Sequence, residues 1–286
     1  MQKDSFKSVT TDAETVHLIE GRKSEQIPPG TFTEPITHVK NKSFAMKYCV
    51  HCSDFKRTRL TNQELAVFYS LRSECNIPFD PQDEEHNQLI NVLWTSLTKE
   101  PELEQIPNPR WKDFGFQNND PRTDFRGSGV AGLRMLLNYS RDYPGMIKRM
   151  SDPKDDFMTA VCSINVTYHL MTYFHMADFL DFEKDKDKLG SRKALKNFCA
   201  ILSKDEEGFC KLYDLLFTDF HALWLDLKTK RQGVTVMDLK VCLDELKRKL
   251  DRAMNKRYYE SFVQFQVQYS EIKNWNGRTP SLTKLS

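Results

Sequence analysis

The chain has 286 residues, with 42 Lys and Arg against 40 Asp and Glu and a formal charge of +2. That length makes one large domain or two small ones, can bury a sizeable core, and leaves no room for several modules. The near balance of charge lacks the basic excess of a dedicated nucleic-acid binder, and at a mean hydropathy of −0.61 no stretch approaches the ~20 apolar residues of a membrane span.

The first residues, Met1-Gln2-Lys3-Asp4-Ser5, carry no apolar leader and no myristoylation glycine. The seven cysteines are odd in number and scattered, so a disulfide framework is not expected. Together these features point to a reduced, cytoplasmic protein, with a peripheral place at endomembranes as a variant of that reading. Residues 1–40 are polar and broken by Pro28-Pro29-Gly30 and Pro35, and read as a partly disordered arm. The expected domain runs over 41–272, with its core at about 60–260, followed by a tail over 273–286. No repeat of ~20–50 residues is visible. Cys49-Val50-His51-Cys52 is half of a zinc pattern with no matching second half, so no metal is expected.

Helix signals then recur. Asp80-Pro81 reads as an N-cap with proline at the first helical position, followed by Leu89, Ile90, Leu93 and Leu97. Gly129 to Asp142 reads as a helix that stops before Pro144-Gly145. Ser151-Asp152-Pro153 is expected to open another, running through Phe157, Val161, Ile164, Tyr168 and Phe174 to about Asp181. Being apolar on most sides, it reads as the buried central helix, with His169 and His175 as core or interface residues. Gly190-Ser191 marks a stop and a new cap before Leu195, Phe198 and Leu202. Phe209, Leu212, Leu216, Phe220, Leu223 and Leu227 repeat at steps of three and four. Thr235 with Asp238 resembles a capping box ahead of Leu239, Leu243, Leu246 and Leu250. Val263 to Tyr269 alternates like a strand, yet Tyr258, Phe262, Phe265 and Tyr269 also suit a helix. Helix is preferred because no second alternating run offers a partner. The fold expected is all-α, a multi-helix bundle.

The basic stretch Lys247, Arg248, Lys249, Arg252, Lys256 and Arg257 reads as the wet face of a late helix, with contact to anionic membrane as the other reading. Residues 228–286 hold 13 Lys and Arg against 6 Asp and Glu, so the overall balance conceals a basic C-terminal region.

One segment departs from the helical pattern. Residues 111–129 show no period and mix the aromatics Trp111, Phe114, Phe116 and Phe125 with Gly115, Gly127 and Gly129. Aromatics in an irregular segment suggest a loop pinned to the core. Its glycines suggest sharp turns or close backbone approach, the latter two beside Arg126. Such loops on rigid scaffolds often carry function.

Trp111, Gly115-Phe116-Gln117, Asp120-Pro121 and Thr123-Asp124-Phe125-Arg126-Gly127 with Gly129 closely resemble the signature of the ELMO (engulfment and cell motility) domain. Ile164-Asn165-Val166-Thr167-Tyr168 is similar to that family's central helix. Phe114 stands where the family more often has Ile. Asn119 falls at a variable place, and Asn138-Tyr139 where an aromatic pair is usual. Long family members are scaffolds for exchange factors of the DOCK type, with helical repeats and a PH domain that 286 residues cannot hold. The chain therefore resembles the short ELMO-domain-containing branch, whose members act as GTPase-activating proteins on Arf-family and Arf-like GTPases.

The resemblance maps that branch's required arginine onto Arg126 and implies a GTP-bound GTPase as partner. GTP and Mg²⁺ would be held by the partner, leaving this chain no cofactor and no active site of its own. Trp111, Phe116 and Phe125 read as loop anchors. Gln117, Asp120, Arg122, Thr123, Asp124, Gly127 and Gly129 read as loop support or partner contacts, with Gln117 facing the GTPase switch region and Thr123 or Ser128 capping the following helix. Arg126 also has a structural reading, paired with Asp120 or Asp124, and Arg122 is its rival in the same loop. The alternative function is a non-catalytic scaffold that recruits a GTPase or exchange factor. No Ser/His/Asp order, HExxH or GxxxxGK[ST] stands out.

Overall fold

The computed structural model describes residues 59–101, 103, 105–180 and 184–272. The arm at 1–40, the Cys49–Cys52 motif and the tail from 273 lie outside the described residues. Among those described there are nine α-helices and no strand: α1 Asn62–Cys75, α2 Glu84–Thr98, α3 Gly129–Asp142, α4 Pro144–Met150, α5 Thr159–Tyr173, α6 Arg192–Leu202, α7 Gly208–Lys230, α8 Leu239–Lys256 and α9 Phe262–Glu271. None is long and apolar enough to cross a membrane. Among the described residues, no group of His, Cys, Asp and Glu could hold a metal ion.

Local chemistry sets most ends. At α1, the Thr61 hydroxyl accepts from the Glu64 amide and the Glu64 carboxylate accepts from the Thr61 amide, a complete capping box. The Glu64 carboxylate also takes the Lys196 ammonium at 2.7 Å, fastening α1 to α6. Ser191 caps α6 through the Ala194 amide. The box of Thr235 and Asp238 forms ahead of α8, and the 262–271 segment is helical, capped by Ser261. Helix α3 has the bounds its sequence suggested.

Three expectations are corrected. Asp80 and Pro81 lie in a turn before α2. The Asp80 carboxylate accepts from the Gln82 amide at 2.8 Å, and Asp83 is the N-cap, accepting from the His86 amide. The central helix is shorter than 151–181. Residues Ser151–Met158 form turns, fixed where the Trp224 indole donates to the Asp155 carbonyl at 2.6 Å and the Thr159 hydroxyl to the Met150 carbonyl at 2.8 Å. At its far end, His175 sits at φ 60° while the amides of Met176 and His175 close onto the carbonyls of Met171 and Thr172. That is a Schellman stop, with histidine where glycine is usual.

The third correction concerns the basic face of α8. Lys249 is not on it: its side chain is 7% exposed and bonds Asp219 at 3.1 Å, over the Tyr269 ring at 4.5 Å. Arg248 pairs with Glu245 at 2.9 Å. Arg252, Lys256 and Arg257 are exposed, and Lys247 is half-exposed.

Helix α5 is the hub. It packs on α3, α7 and α8, with Ala160, Val166, Leu170 and Met171 buried. The Ser163 and Tyr213 hydroxyls bond at 2.6 Å, which satisfies both groups inside the core. His169 is buried, as expected, and burial, with the Lys247 ammonium adding to it, lowers its pKa to about 3. The α5 face that carries Asn165 and Tyr168 is exposed, and the motif loop lies against it.

Candidate functional site

The motif loop is built from two 3₁₀ helices, Pro109–Phe114 and Pro121–Arg126. Each starts the same way: an Asx side chain followed by proline. Asn108 accepts from the Arg110 amide and Asp120 from the Arg122 amide. Proline at the next position gives up a donor that would have no partner there. The Asn108 amide donates to the Asn119 carbonyl at 2.8 Å, closing the neck of the loop.

The aromatic anchors sit where the sequence put them. Trp111, Phe116 and Phe125 are all fully or almost fully buried. Their rings form a chain: Trp94 to Trp111 at 5.1 Å, Trp111 to Phe116 at 5.1 Å, Phe116 to Phe125 at 6.0 Å and Phe125 to Phe79 at 5.9 Å. The first three are edge-to-face, a geometry that adds about 0.5–1.5 kcal/mol per pair beyond area burial. The Trp111 indole donates to the Ile106 carbonyl at 3.0 Å.

Two glycines are required by geometry. Gly115 has φ +77°, and a Cβ there would stand 2.4 Å from the Thr159 amide nitrogen. Gly129 has φ +59°, and a Cβ would stand 2.3 Å from the Ile77 carbonyl oxygen. The same carbonyl accepts from the Val130 amide at 3.0 Å, tying the loop exit to the end of α1. Gly127 differs from the expectation of a sharp turn. Its φ is −91°, and a Cβ would make ordinary contact with Tyr168 at 3.8 Å.

The polar residues divide into fixed and free. Asp120 holds Arg122 through two hydrogen bonds, Nε to Oδ1 at 2.8 Å and Nη2 to Oδ2 at 2.7 Å. The guanidinium in turn keeps the Asp120 carboxyl below its ordinary pKa. Thr123 donates to the Asp120 carbonyl at 2.9 Å. Asp124 accepts from the Gln117 amide at 2.8 Å, which clips the two 3₁₀ helices together. Burial nevertheless raises the Asp124 pKa, with that amide opposing the rise.

Neither Thr123 nor Ser128 caps α3 by its side chain. Ser128 occupies the N-cap position without such a bond, and its hydroxyl is buried with no partner among the described residues. It lies over Gly132, where a Cβ would come within 2.8 Å of the Ser128 Cβ.

Arg126 is the residue left over. It is exposed. Its Nε donates to the Thr123 carbonyl at 2.8 Å, which aims the side chain while leaving both terminal nitrogens without a hydrogen bond to the described residues. No carboxylate among them, Asp124 and Asp120 included, reaches ion-pair distance of Arg126. The structural pairing open to it in the sequence is therefore not made, and its rival Arg122 is the tied one. Gln117 and Asn118 are exposed on the same loop.

Beside Arg126 and Gly127 stands Tyr168 of α5, stacked on Phe179 at 5.2 Å with rings 11° apart. Sequence reasoning did not single out Phe179. Its only signal was an aromatic in the short link after α5, in the dipeptide Asp178-Phe179.

The family model of the ELMO/CED-12 family matches residues 69–243. ELMO domain-containing protein C of Dictyostelium discoideum is 24% identical over 200 residues, 70% of this chain and 31% of that protein. ELMO domain-containing protein 2 of Bos taurus is 33% identical over 125 residues, 40% of this chain and 43% of that protein. ELMO domain-containing protein B of Dictyostelium discoideum is 24% identical over 253 residues, 86% of this chain and 81% of that protein. The chain thus spans less than half the length of the first two. No solved structure matches it significantly.

Proposed function

The chain belongs to the ELMO/CED-12 family, and from that membership we propose that it accelerates GTP hydrolysis by an Arf-family or Arf-like GTPase, supplying Arg126 in trans. The observation that carries the reading is the contrast within one loop. Arg122 is neutralised by Asp120, while Arg126 is exposed, aimed by its Nε and unpaired at both terminal nitrogens among the described residues.

The chemistry asks for such a group. GTP hydrolysis builds negative charge on the γ-phosphate oxygens and on the oxygen bridging to the β-phosphate. A GTPase holding its own GTP and Mg²⁺ still gains from a cation delivered there, by roughly 10³–10⁵ in rate, or ~4–7 kcal/mol of barrier. Guanidinium suits the place because it is planar, always charged and forked to match phosphate oxygens. In this reading the chain has no active site and no cofactor of its own. The buried aromatic row and the clip between Asp124 and Gln117 hold the loop still, so little is lost in ordering it on contact. A cytoplasmic place, peripheral at endomembranes, goes with a lipid-anchored partner.

Single-turnover hydrolysis with a panel of GTP-loaded Arf-family and Arf-like GTPases tests the reading. Wild type accelerates at least one member, and Arg126→Ala and Arg126→Lys lose roughly 10³-fold or more of that acceleration. Lysine keeps the charge and loses the fork. Both variants accelerating as wild type does would end the assignment.

A further inference from the structure

Single exposed apolar side chains need no explanation on a protein surface. A flat, stacked pair next to the motif arginine does. Tyr168 is 37% exposed and Phe179 is 51% exposed. Tyr168 is the first α5 side chain past Gly127, its Cδ2 lying 3.8 Å from where a Cβ on that glycine would be. Gly127, next in the chain to Arg126, thus lies against the Tyr168 ring and puts no side chain over it.

The pair is also held rigidly. The link that carries Phe179 is strapped to the end of α1. The Arg72 Nε donates to the Met176 carbonyl at 3.1 Å, and Arg72 pairs with Asp178 at 2.5 Å. The Asn76 side chain donates to the Met176 carbonyl at 2.7 Å and accepts from the Asp178 amide at 2.8 Å. The loop that carries Arg126 is strapped to the same place, through Val130 and Ile77. One fixed platform thus carries an aromatic plate and a free guanidinium. Lys188, in the same link, is paired with Asp185 at 2.6 Å, which leaves Arg126 as the cation the platform offers.

We infer that the Tyr168–Phe179 pair is the apolar anchor on which a GTP-loaded GTPase docks, placing its nucleotide at Arg126. The inference rests on the function proposed above. Charge complementarity names the occupant: a GTPase presents protein surface immediately beside an anionic triphosphate, and this platform presents an apolar plate beside the guanidinium of Arg126, whose terminal nitrogens meet no acceptor among the described residues. Aromatic anchors in a preformed frame are the usual carriers of interface affinity, and truncating one commonly weakens binding by ten- to hundredfold. The anchor and the arginine act at different stages. The anchor holds the ground-state complex, whereas the arginine meets charge that develops only in the transition state.

The experiment measures two quantities with the full chain and the same GTPase panel. One is affinity for GTPase loaded with a non-hydrolysable GTP analogue; the other is the maximal single-turnover rate at saturating activator. Phe179→Ala and Tyr168→Ala are each expected to weaken binding roughly 10–30-fold while the saturated rate stays near wild type. Arg126→Ala is expected to do the reverse, and Met237→Ala, at a separate exposed site, to change neither. Thermal melting confirms that each variant is folded.

If wild type binds a loaded GTPase without accelerating it, the activator reading fails, yet the anchor stands provided Phe179→Ala weakens that binding. Wild-type affinity in both Phe179→Ala and Tyr168→Ala overturns the anchor and leaves the activator reading untouched. Binding to no member of the panel overturns both.

Discussion

The motif loop and helix α8 both concentrate cations, and in the sequence both invite a functional reading. The structure treats them differently. In the loop one arginine, Arg122, is tied to Asp120, while Arg126 is held at its Nε by the Thr123 carbonyl and pairs with no carboxylate among the described residues. On α8 the division runs by helical face. Lys249 turns inward to Asp219, Arg248 closes on Glu245, and Arg252 and Lys256 face solvent. A run of basic residues therefore says little about available charge. What counts is which carboxylates the fold brings within reach, and that depends on contacts far apart in the chain: Lys249 and Asp219 are 30 residues apart.

The sharpest way to test the contrast is to compare stability changes. Lys249→Ala leaves a mostly buried Asp219 carboxylate with the Tyr269 hydroxyl, at 2.7 Å, as its remaining side-chain donor among the described residues. Removing one partner of a buried ion pair costs about 3–5 kcal/mol, and denaturant unfolding reads this directly. Arg126→Ala, by contrast, removes an exposed side chain held by one hydrogen bond and stays within about 0.5 kcal/mol of wild type. A large loss of stability in Arg126→Ala would show that arginine to be structural after all, and would undercut its proposed role more cleanly than an activity assay alone.

A second comparison sits inside the loop. Gly115→Ala and Gly129→Ala each place a Cβ against backbone atoms at left-handed φ, and about 2–4 kcal/mol is lost from strain and overpacking. Gly127→Ala meets only ordinary contact, so its melting temperature stays close to wild type. Equal losses at all three positions would mean that Gly127 serves the fold. Retained stability with weaker GTPase binding would place it at the interface.

Much of the fold could be read from the chain, for definite reasons. The bounds of α3 are marked by Gly129 and Pro144, and α7 and α8 by long stripes of Leu and Phe at steps of three and four. The central helix, Thr159–Tyr173, is shorter than its sequence pattern at both ends because its stops are made by tertiary contacts. Trp224 holds the turn before it, and its end is closed by a histidine at positive φ, a position no glycine advertises. The loop was legible as a pinned, glycine-dependent segment, and its aromatic anchors followed from residue type. Which arginine was free was not legible, since Asp120 and Asp124 are both near enough in sequence to pair with Arg126. The hydrogen bond from Gln117 to Asp124 and the pairing of Arg122 with Asp120 decide that, and both are facts of geometry. Phe179 lay beyond sequence reasoning for the same reason, because its partner Tyr168 is on another element.

The smallest expected effect comes from the solvent side of α8. The double substitution Lys247→Gln with Arg252→Gln breaks a long surface pair, Lys247 with Asp244 at 3.9 Å, so stability stays within about 0.5 kcal/mol of wild type. If this face meets anionic membrane, each cation contributes about 1 kcal/mol near the surface, and the attraction fades with added salt. Sedimentation with vesicles of mixed phosphatidylserine and phosphatidylcholine then shows weaker binding for the double variant, and none for either protein on phosphatidylcholine alone. Wild-type protein without preference for the anionic vesicles would remove membrane contact from the account. The exposed cations of α8 would then be only a solvated face.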